Sequence, residues 1–271
     1  MPVWDPDRYL QFAAERGRPF ADLLARVGAT APRTVVDLGC GPGNLTATLA
    51  DRWPGARVVG VDGSARMIAA AQARGDDRMD FEVGDVRTWT PEREVDVLVT
   101  NATLQWVPDH LQLLGSWLRG LAPGGWLALQ VPGNFGAASH RAMAELSATQ
   151  PYADALASRS ASTERLSSPE PGEYLDALVE AGTDLPGGVQ VDVWETTYSH
   201  LLPGSDPVLA WVSGTGARPV VQALEAADPV LAQRWLADLA GRLRAAYPPG
   251  PGGTVLTFRR VFAVAHRVAA A

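Results

Sequence analysis

The sequence contains no lysine, so all 23 of its basic residues are arginine. This excludes a Schiff base to pyridoxal phosphate, a lysine general base and a lysine-containing phosphate loop. The 30 acidic residues give a formal net charge of −7. Because the chain is acidic and has no basic block, we expect neither nucleic acid nor an anionic membrane as the main partner. Every fixed positive charge is a planar guanidinium, which is suited to binding carboxylates.

Cysteine, long apolar runs and metal-binding motifs are also scarce or absent. The single cysteine, Cys40, excludes an internal disulfide and favours a reducing compartment, so we expect a cytoplasmic protein. Residues 1–5 lack the pattern of a signal peptide, and no apolar run approaches the roughly 20 residues of a membrane span. Neither an H-x-x-x-H nor a C-x-x-C motif occurs, and the four histidines are far apart, at His110, His140, His200 and His266. We therefore predict no resident metal ion.

Between residues 33 and 131, short apolar runs alternate with helical stretches. The apolar runs predict strands over residues 34–38, 57–61, 79–83, 95–99 and 126–131. Helical periodicity lies over residues 45–52, 67–74 and 111–121, and Ser64 is a suitable N-cap for the second of these helices. This alternation predicts a parallel, doubly wound sheet with right-handed crossovers.

The second half of the chain has a different pattern. Residues 136–170 are rich in alanine and serine, and residues 207–247 predict two or three helices. Two further strands are predicted within residues 189–203 and 254–268. They complete a mostly parallel, seven-stranded sheet with an antiparallel edge strand.

These elements predict a single α/β domain over residues 1–271. The carboxyl ends of the strands form the ligand-binding edge in such sheets, so we expect the inserted helices to form a cap there. The predicted parts are a helical segment over the cleft at 1–28, a cofactor-binding half at 30–133, and cap insertions at 136–170 and 205–247.

A glycine-rich turn, DLGCGPG at residues 37–43, joins the first strand to the first helix. Glycine lets backbone N–H groups approach a ligand, and a helix N-terminus favours negative charge. Asp62 ends the second strand, where a carboxylate can accept both hydroxyls of a ribose, and Asp85 follows the third. A dinucleotide-binding motif requires glycine at position 44, which here is Asn44. The spacing therefore favours an adenosine ligand without a pyrophosphate and disfavours a nicotinamide-dependent dehydrogenase.

This turn, with Asp62, Gly84-Asp85 and Asn101-Ala102, resembles the S-adenosylmethionine-dependent class I methyltransferases, which have a Rossmann-like fold. Narrower features over residues 4–267 resemble the trans-aconitate 2-methyltransferase family. These features are WDP at 4–6, ERGRP at 15–19, NATLQWVPDH at 101–110, VPGN at 131–134, VDVWETTY at 191–198 and YPP at 247–249. The resemblance implies S-adenosylmethionine as cofactor and S-adenosylhomocysteine as product.

The resemblance also implies a cofactor site along the ends of the first four strands. The glycines would allow close backbone approach, the carboxylates would accept from the ribose and the adenine amino group, and carbonyls would line the sulfonium. The residues assigned to this site are Asp37, Gly39, Gly41, Gly43, Asp62, Met67, Asp85, Val86, Asn101 and Ala102.

The implied acceptor is trans-aconitate or a related small polycarboxylate, which would become a monomethyl ester. A carboxylate, whose pKa in water is about 4, is already an anion at neutral pH and needs no general base. Trp106 is a candidate cover for the sulfonium or the acceptor, because an aromatic face attracts a cation. Without lysine, other donors must hold a polyanion, and the candidates are Arg18, Arg218, Arg260, Asn134, Tyr198 and His200.

Two alternatives remain open. The chain could methylate another small acid or a hydroxyl acceptor, or it could bind S-adenosylmethionine without turnover. In each case we expect a monomer with a small-molecule ligand.

Overall fold

The computed structural model describes residues 13–91, 94–157 and 168–270. Three parts of the sequence predictions lie outside the described residues: the WDP motif at 4–6, residues 1–12 of the N-terminal segment, and residues 158–167 of the first insertion.

The described residues form two compact units. The sheet unit contains Ala13–Pro132, Ser168–Thr196 and the chain from Arg260 onward. The helical unit contains residues 133–157 and 197–259. Residues 136–157 and 205–247 of the predicted insertions lie in the helical unit.

The sheet has seven strands in the order β3-β2-β1-β4-β5-β7-β6. In chain order they are β1 (Thr34–Leu38), β2 (Arg57–Asp62), β3 (Met79–Val83), β4 (Val95–Asn101), β5 (Leu121–Pro132), β6 (Val189–Leu202) and β7 (Thr254–Arg267). Strands β1 to β5 pair in parallel, whereas β7 pairs antiparallel with β5 and lies between β5 and β6. This confirms the predicted doubly wound, mostly parallel sheet.

Ten α-helices and one 3-10 helix accompany the described strands. In chain order the α-helices are α1 (Ala13–Leu24), α2 (Thr46–Arg52), α3 (Ala65–Gln72), α4 (Leu111–Gly120), α5 (Ala138–Ser147), α6 (Tyr152–Ala157), α7 (Pro171–Gly182), α8 (Pro207–Ser213), α9 (Arg218–Glu225) and α10 (Pro229–Ala246). The 3-10 helix covers Leu104–Trp106. Ser64 is the N-cap of α3, as predicted, and its hydroxyl accepts from the backbone N–H of Met67 at 3.4 Å. No described helix is long and apolar enough to span a bilayer.

Each unit has its own apolar core. In the sheet unit, Leu98 and Leu129 pack with Trp117 of α4 and Tyr174 of α7. In the helical unit, Trp211 of α8 and Trp235 of α10 are at most 2% exposed. Full burial of one such large side chain contributes about 1.5–3 kcal/mol, so each unit has a substantial core.

The junction of α4 and β5 differs from the prediction. The sequence predicted a helix over residues 111–121 and a strand over 126–131, but α4 ends at Gly120 and β5 begins at Leu121. The register between β4 and β5 shifts next to these glycines, and Gly124 has a φ of +84°. Glycine here permits an irregularity within a strand rather than ending a helix.

Candidate functional site

The glycine-rich turn after β1 packs tightly against the chain that follows β4. Gly39 has a φ of +81°, and a Cβ at this position would lie 1.9 Å from Oγ1 of Thr103. Its N–H donates to the carbonyl of Val61 on β2 at 2.7 Å. Any side chain at position 39 would therefore displace the segment after β4.

Gly41 is the open position of the turn. Its φ is +55°, and apart from its chain neighbours no atom of the described residues lies within 4 Å of the place where a Cβ would stand. A ligand can therefore approach the backbone at this residue. Gly43, by contrast, faces the ring of Phe81, whose Cζ would lie 2.9 Å from an added Cβ.

Asp62, at the end of β2, connects the two adjacent turns. Its Oδ2 accepts from the N–H of Gly41 at 2.9 Å, and its Oδ1 accepts from the N–H of Ser64 at 2.8 Å. Each oxygen keeps a lone pair that could accept a ribose hydroxyl. Burial raises the pKa of Asp62, and the two backbone hydrogen bonds partly oppose this.

Asp37 and Thr46 form a buried pair on either side of the glycine turn. The Thr46 hydroxyl donates to Oδ2 of Asp37 at 2.6 Å, and the two side chains are 3% exposed or less. Burial raises the pKa of Asp37 to about 7, the Thr46 hydrogen bond lowers it, and the charge of Asp62 raises it. The pair joins the end of β1 to the first residue of α2.

The residues predicted to contact adenine have other contacts in this structure. Both carboxylate oxygens of Asp85 accept from Nε of Arg87, at 2.9 and 3.0 Å. The hydrogen bond from Arg87 lowers the pKa of Asp85. Met67 is 3% exposed, and Val86 packs against the core of the sheet unit.

The chain leaves β4 in a strained conformation at Ala102, whose φ is +53°. The Ala102 N–H donates to the carbonyl of Gln130 on β5 at 2.9 Å, and its carbonyl accepts from Nε2 of Gln105 at 2.6 Å. The buried Oδ1 of Asn101 has no hydrogen-bond partner among the described residues. This edge of β4 thus presents a buried polar acceptor next to a peptide group that is held by hydrogen bonds on both sides.

Three acceptor-site candidates lie in the sheet unit. Arg18 of α1 is 70% exposed at its side chain, with Asp22 at 4.0 Å. Arg260 of β7 is 4% exposed and donates to Oε1 of Gln130 at 3.1 Å. Trp106 is half-buried in the 3-10 helix.

Four other candidates lie in the helical unit. Tyr198 and His200 are buried on β6, and the His200 ring stacks on Trp211 at a centroid distance of 5.0 Å. Arg218 is the first residue of α9. Asn134 is 6% exposed, and its Oδ1 has no partner within the described chain.

Side chains that could bind a metal ion are dispersed over the described part of the chain. Within residues 13–91, 94–157 and 168–270, no group of three or more His, Cys, Asp and Glu side chains could hold a metal ion.

Comparison with known proteins identifies the family. Residues 35–125 match a family model described as a methyltransferase domain. A trans-aconitate 2-methyltransferase from Streptomyces avermitilis is 51% identical, covering 99% of this chain and 98% of that protein. One from Mycobacterium sp. (strain KMS) is 49% identical, covering 97% of this chain and 99% of that protein. The chain belongs to the trans-aconitate 2-methyltransferase family.

Solved structures agree with the fold. A putative methyltransferase from Bacillus halodurans matches with a TM-score of 0.56 at 14% identity, covering 93% of this chain and 100% of that one. The YcgJ protein from Bacillus subtilis matches with a TM-score of 0.58 at 12% identity, covering 93% of this chain and 98% of that one. These structures show that the chain has the class I methyltransferase fold. Its family membership makes it an S-adenosylmethionine-dependent methyltransferase, as the resemblance implied.

The geometry fits this cofactor. Gly41 leaves open space at the turn, Asp62 keeps lone pairs for ribose hydroxyls, and Asn101 presents a buried oxygen without a partner among the described residues. These three features lie at the ends of β1, β2 and β4 in one sheet, which is where such sheets bind ligands.

Sequence reasoning missed several residues that shape the site. Thr46, Thr103 and Gln105 bond or pack onto predicted site residues, and Arg87 binds Asp85. A hydroxyl at the first position of the helix after the glycine turn was a usable signal for Thr46. The role of Thr103 depends on packing between loops, which has no local signature in the sequence.

Proposed function

We propose that the enzyme methylates one carboxylate of trans-aconitate, releasing a monomethyl ester and S-adenosylhomocysteine. The observation that supports this most strongly is the extent of the identity. Relatives named trans-aconitate 2-methyltransferase are 49% to 51% identical over 97% to 99% of this chain. The identity therefore extends beyond the cofactor-binding region into the helical unit.

The cofactor would be held by the ends of β1, β2 and β4. The open backbone at Gly41 would admit its amino-acid end, and Asp62 would accept hydrogen bonds from the ribose hydroxyls. When bound, the cofactor supplies an electrophilic methyl group on a sulfonium. The carbonyls of Asn101 and Ala102 would lie toward this positive charge and stabilise it.

The predicted adenine contacts require one rearrangement. Oδ1 of Asp85 accepts from the backbone N–H and Nε of Arg87, and Oδ2 accepts from Nε and Nη2, so Arg87 must release one of these bonds before Asp85 can accept from an adenine amino group. Met67 would cover one face of the adenine, and the backbone N–H of Val86 would lie near the ring.

Two histidines, His110 and His140, bear on the choice between a carboxylate and a hydroxyl acceptor. His110 is buried with both ring nitrogens within hydrogen-bond distance of protein groups. Burial lowers the pKa of His140 to about 4, which makes it a weak base. Neither histidine is suited to removing a hydroxyl proton, and a carboxylate needs no such step. Catalysis then depends on alignment and on controlled removal of water.

The acceptor's charges would be met by arginine and by neutral donors. We propose Arg18, Arg218 and Arg260 for the carboxylates, since guanidinium binds them in a bidentate manner. Asn134, Tyr198 and His200 would add amide, hydroxyl and imidazole contacts.

The working form is proposed to be a cytoplasmic monomer acting on a small molecule. The single cysteine is compatible with a reducing compartment. Sedimentation of the purified chain would test the monomer, and a stable dimer would contradict it.

Incubation with methyl-labelled S-adenosylmethionine and a panel of acids tests the reaction. We expect base-labile label on trans-aconitate, with citrate and phenols inert. Label on a phenol or alcohol would contradict the carboxylate assignment. Cofactor binding without transfer to any acceptor would instead indicate a binding module.

A further inference from the structure

The segment Asn101–His110 has two unusual backbone positions. Ala102 has a φ of +53° and Asp109 a φ of +54°, and neither residue is glycine. Such conformations persist where the surrounding structure holds them in place. At the front of the segment, Gln105 donates to the Ala102 carbonyl and Thr103 packs on Gly39. The C-terminal end of the segment, near Asp109, needs an anchor of its own, that is, contacts that hold its backbone conformation.

His110 and Tyr174 provide that anchor. Nδ1 of His110 lies 2.9 Å from the carbonyl of Val107, and Nε2 lies 2.6 Å from the hydroxyl of Tyr174. A carbonyl only accepts, so Nδ1 carries the proton and Nε2 accepts from Tyr174. The two bonds together select one neutral tautomer of His110.

Both side chains of the pair are buried, and Tyr174 lies in a capped helix that packs into the core. His110 is 4% exposed and Tyr174 is 0% exposed. Burial lowers the pKa of His110 and raises the pKa of Tyr174, so both stay neutral near pH 7. Tyr174 lies in the first turn of α7, where the Glu170 N–H donates to Glu173 at 2.7 Å. Tyr174 also packs in one core with Trp117 and Leu118 of α4.

We propose that His110 and Tyr174 are a positioning pair for methyl transfer. They act through the segment between Ala102 and Val107, which carries the Ala102 carbonyl and the Trp106 ring. By holding the rear of this segment, the pair keeps both groups at the reacting methyl. This inference rests on the proposed function.

Tyr174→Phe tests the pair because it removes the hydroxyl and keeps the ring. The matched control is Tyr152→Phe in the helical unit, whose hydroxyl donates to Asp238 at 2.5 Å. We expect Tyr174→Phe to lower kcat about ten-fold through misalignment. KM for trans-aconitate and Kd for S-adenosylhomocysteine should stay within about two-fold, since the segment acts on alignment rather than on affinity. Tyr152→Phe should leave kcat unchanged.

A double-mutant cycle checks the coupling. His110→Asn keeps a donor toward Val107 and loses the acceptor for Tyr174. If the two side chains act as one unit, the double variant is no slower than the worse single variant. Additive losses in kcat would overturn the pairing.

Amide hydrogen exchange tests the positioning role of His110 and Tyr174 independently of catalytic activity. The Trp106 and Val107 amides donate to Thr103 and Leu104 within the segment. They should exchange faster in Tyr174→Phe than in Tyr152→Phe. Unchanged exchange together with unchanged kcat would overturn the positioning role. A wild-type enzyme that cannot methylate trans-aconitate would contradict only the proposed function, and exchange would still report on the pair.

Discussion

The hydroxyl of Thr46 donates a 2.6 Å hydrogen bond to the carboxylate of Asp37 from the far side of the glycine turn. Both side chains are buried, so water cannot replace the bond if either partner is lost. The hydrogen bond therefore links the conformation of the glycine turn to the protonation state of Asp37.

Thr46→Val should destabilise the enzyme. The change keeps the shape of the side chain and leaves Asp37 without its donor, which costs about 1–3 kcal/mol of unfolding free energy. Urea denaturation measures this loss. Thr48→Val is the control, because its hydroxyl donates to Leu45 at an exposed position of the same helix and its loss should cost less than about 0.5 kcal/mol. Equal losses in the two variants would contradict a special role for the buried pair.

Asp37→Asn should change how stability depends on pH. The pKa of Asp37 is raised from 3.8 to about 7 in the folded state, chiefly by burial. Between these values the folded protein binds more protons than the unfolded chain, so this group's contribution to stability falls as pH rises. Asparagine does not ionise, so the stability of the variant relative to wild type should increase from about pH 4 to about pH 7. Urea denaturation of both proteins across this pH range measures the difference between their free energies of unfolding. A difference that does not change with pH would contradict the raised pKa of Asp37.

Gly41→Ala should weaken cofactor binding more than it weakens the fold. A positive φ costs alanine about 1–2 kcal/mol, but no atom of the described part of the chain blocks the added methyl. Gly124→Ala is a matched control on β5, away from the glycine turn; its φ is +84°, and none of the described residues would contact an added Cβ within 4 Å. Calorimetry with S-adenosylhomocysteine should show a loss of about ten-fold or more only for Gly41→Ala, as expected when a methyl group fills space that a ligand uses. Equal affinities of the two variants for S-adenosylhomocysteine would contradict cofactor binding at Gly41.

Arg218→Ala should raise the KM for trans-aconitate about ten-fold or more and leave the KM for S-adenosylmethionine nearly unchanged, because it removes a charge-assisted contact to the acceptor alone. Arg242→Ala is the control in the same unit, since Arg242 has Glu145 at 3.7 Å and is 40% exposed at its side chain. Steady-state kinetics with each substrate varied in turn measures the split. Equal effects on both KM values would remove Arg218 from the acceptor site.

The sequence predicted secondary-structure elements better than it predicted contacts between side chains. The strands β1, β2 and β4 and the Ser64 cap follow from valine-rich runs and local capping chemistry, which depend on neighbouring residues. The start of β5 was misplaced because Gly124 and Gly125 lie within the strand next to a register shift, and glycine more often marks an end.

Some features of the candidate site were likewise predicted from the sequence, and others were not. The glycine turn and Asp62 were predicted because their positions relative to strand ends are visible along the chain. Arg87 beside Asp85 was missed although it is only two residues away, because a side-chain bond depends on rotamers rather than spacing.

By itself, the sequence determined the doubly wound sheet, the methyltransferase family and the position of the glycine turn, since each depends on short-range pattern and composition. Only the tertiary structure decided which side chains meet. Tyr174 is 64 residues from His110, and Arg260 is 130 residues from Gln130. Such pairs form when strand register and helix packing bring distant segments together, and no local pattern encodes that distance.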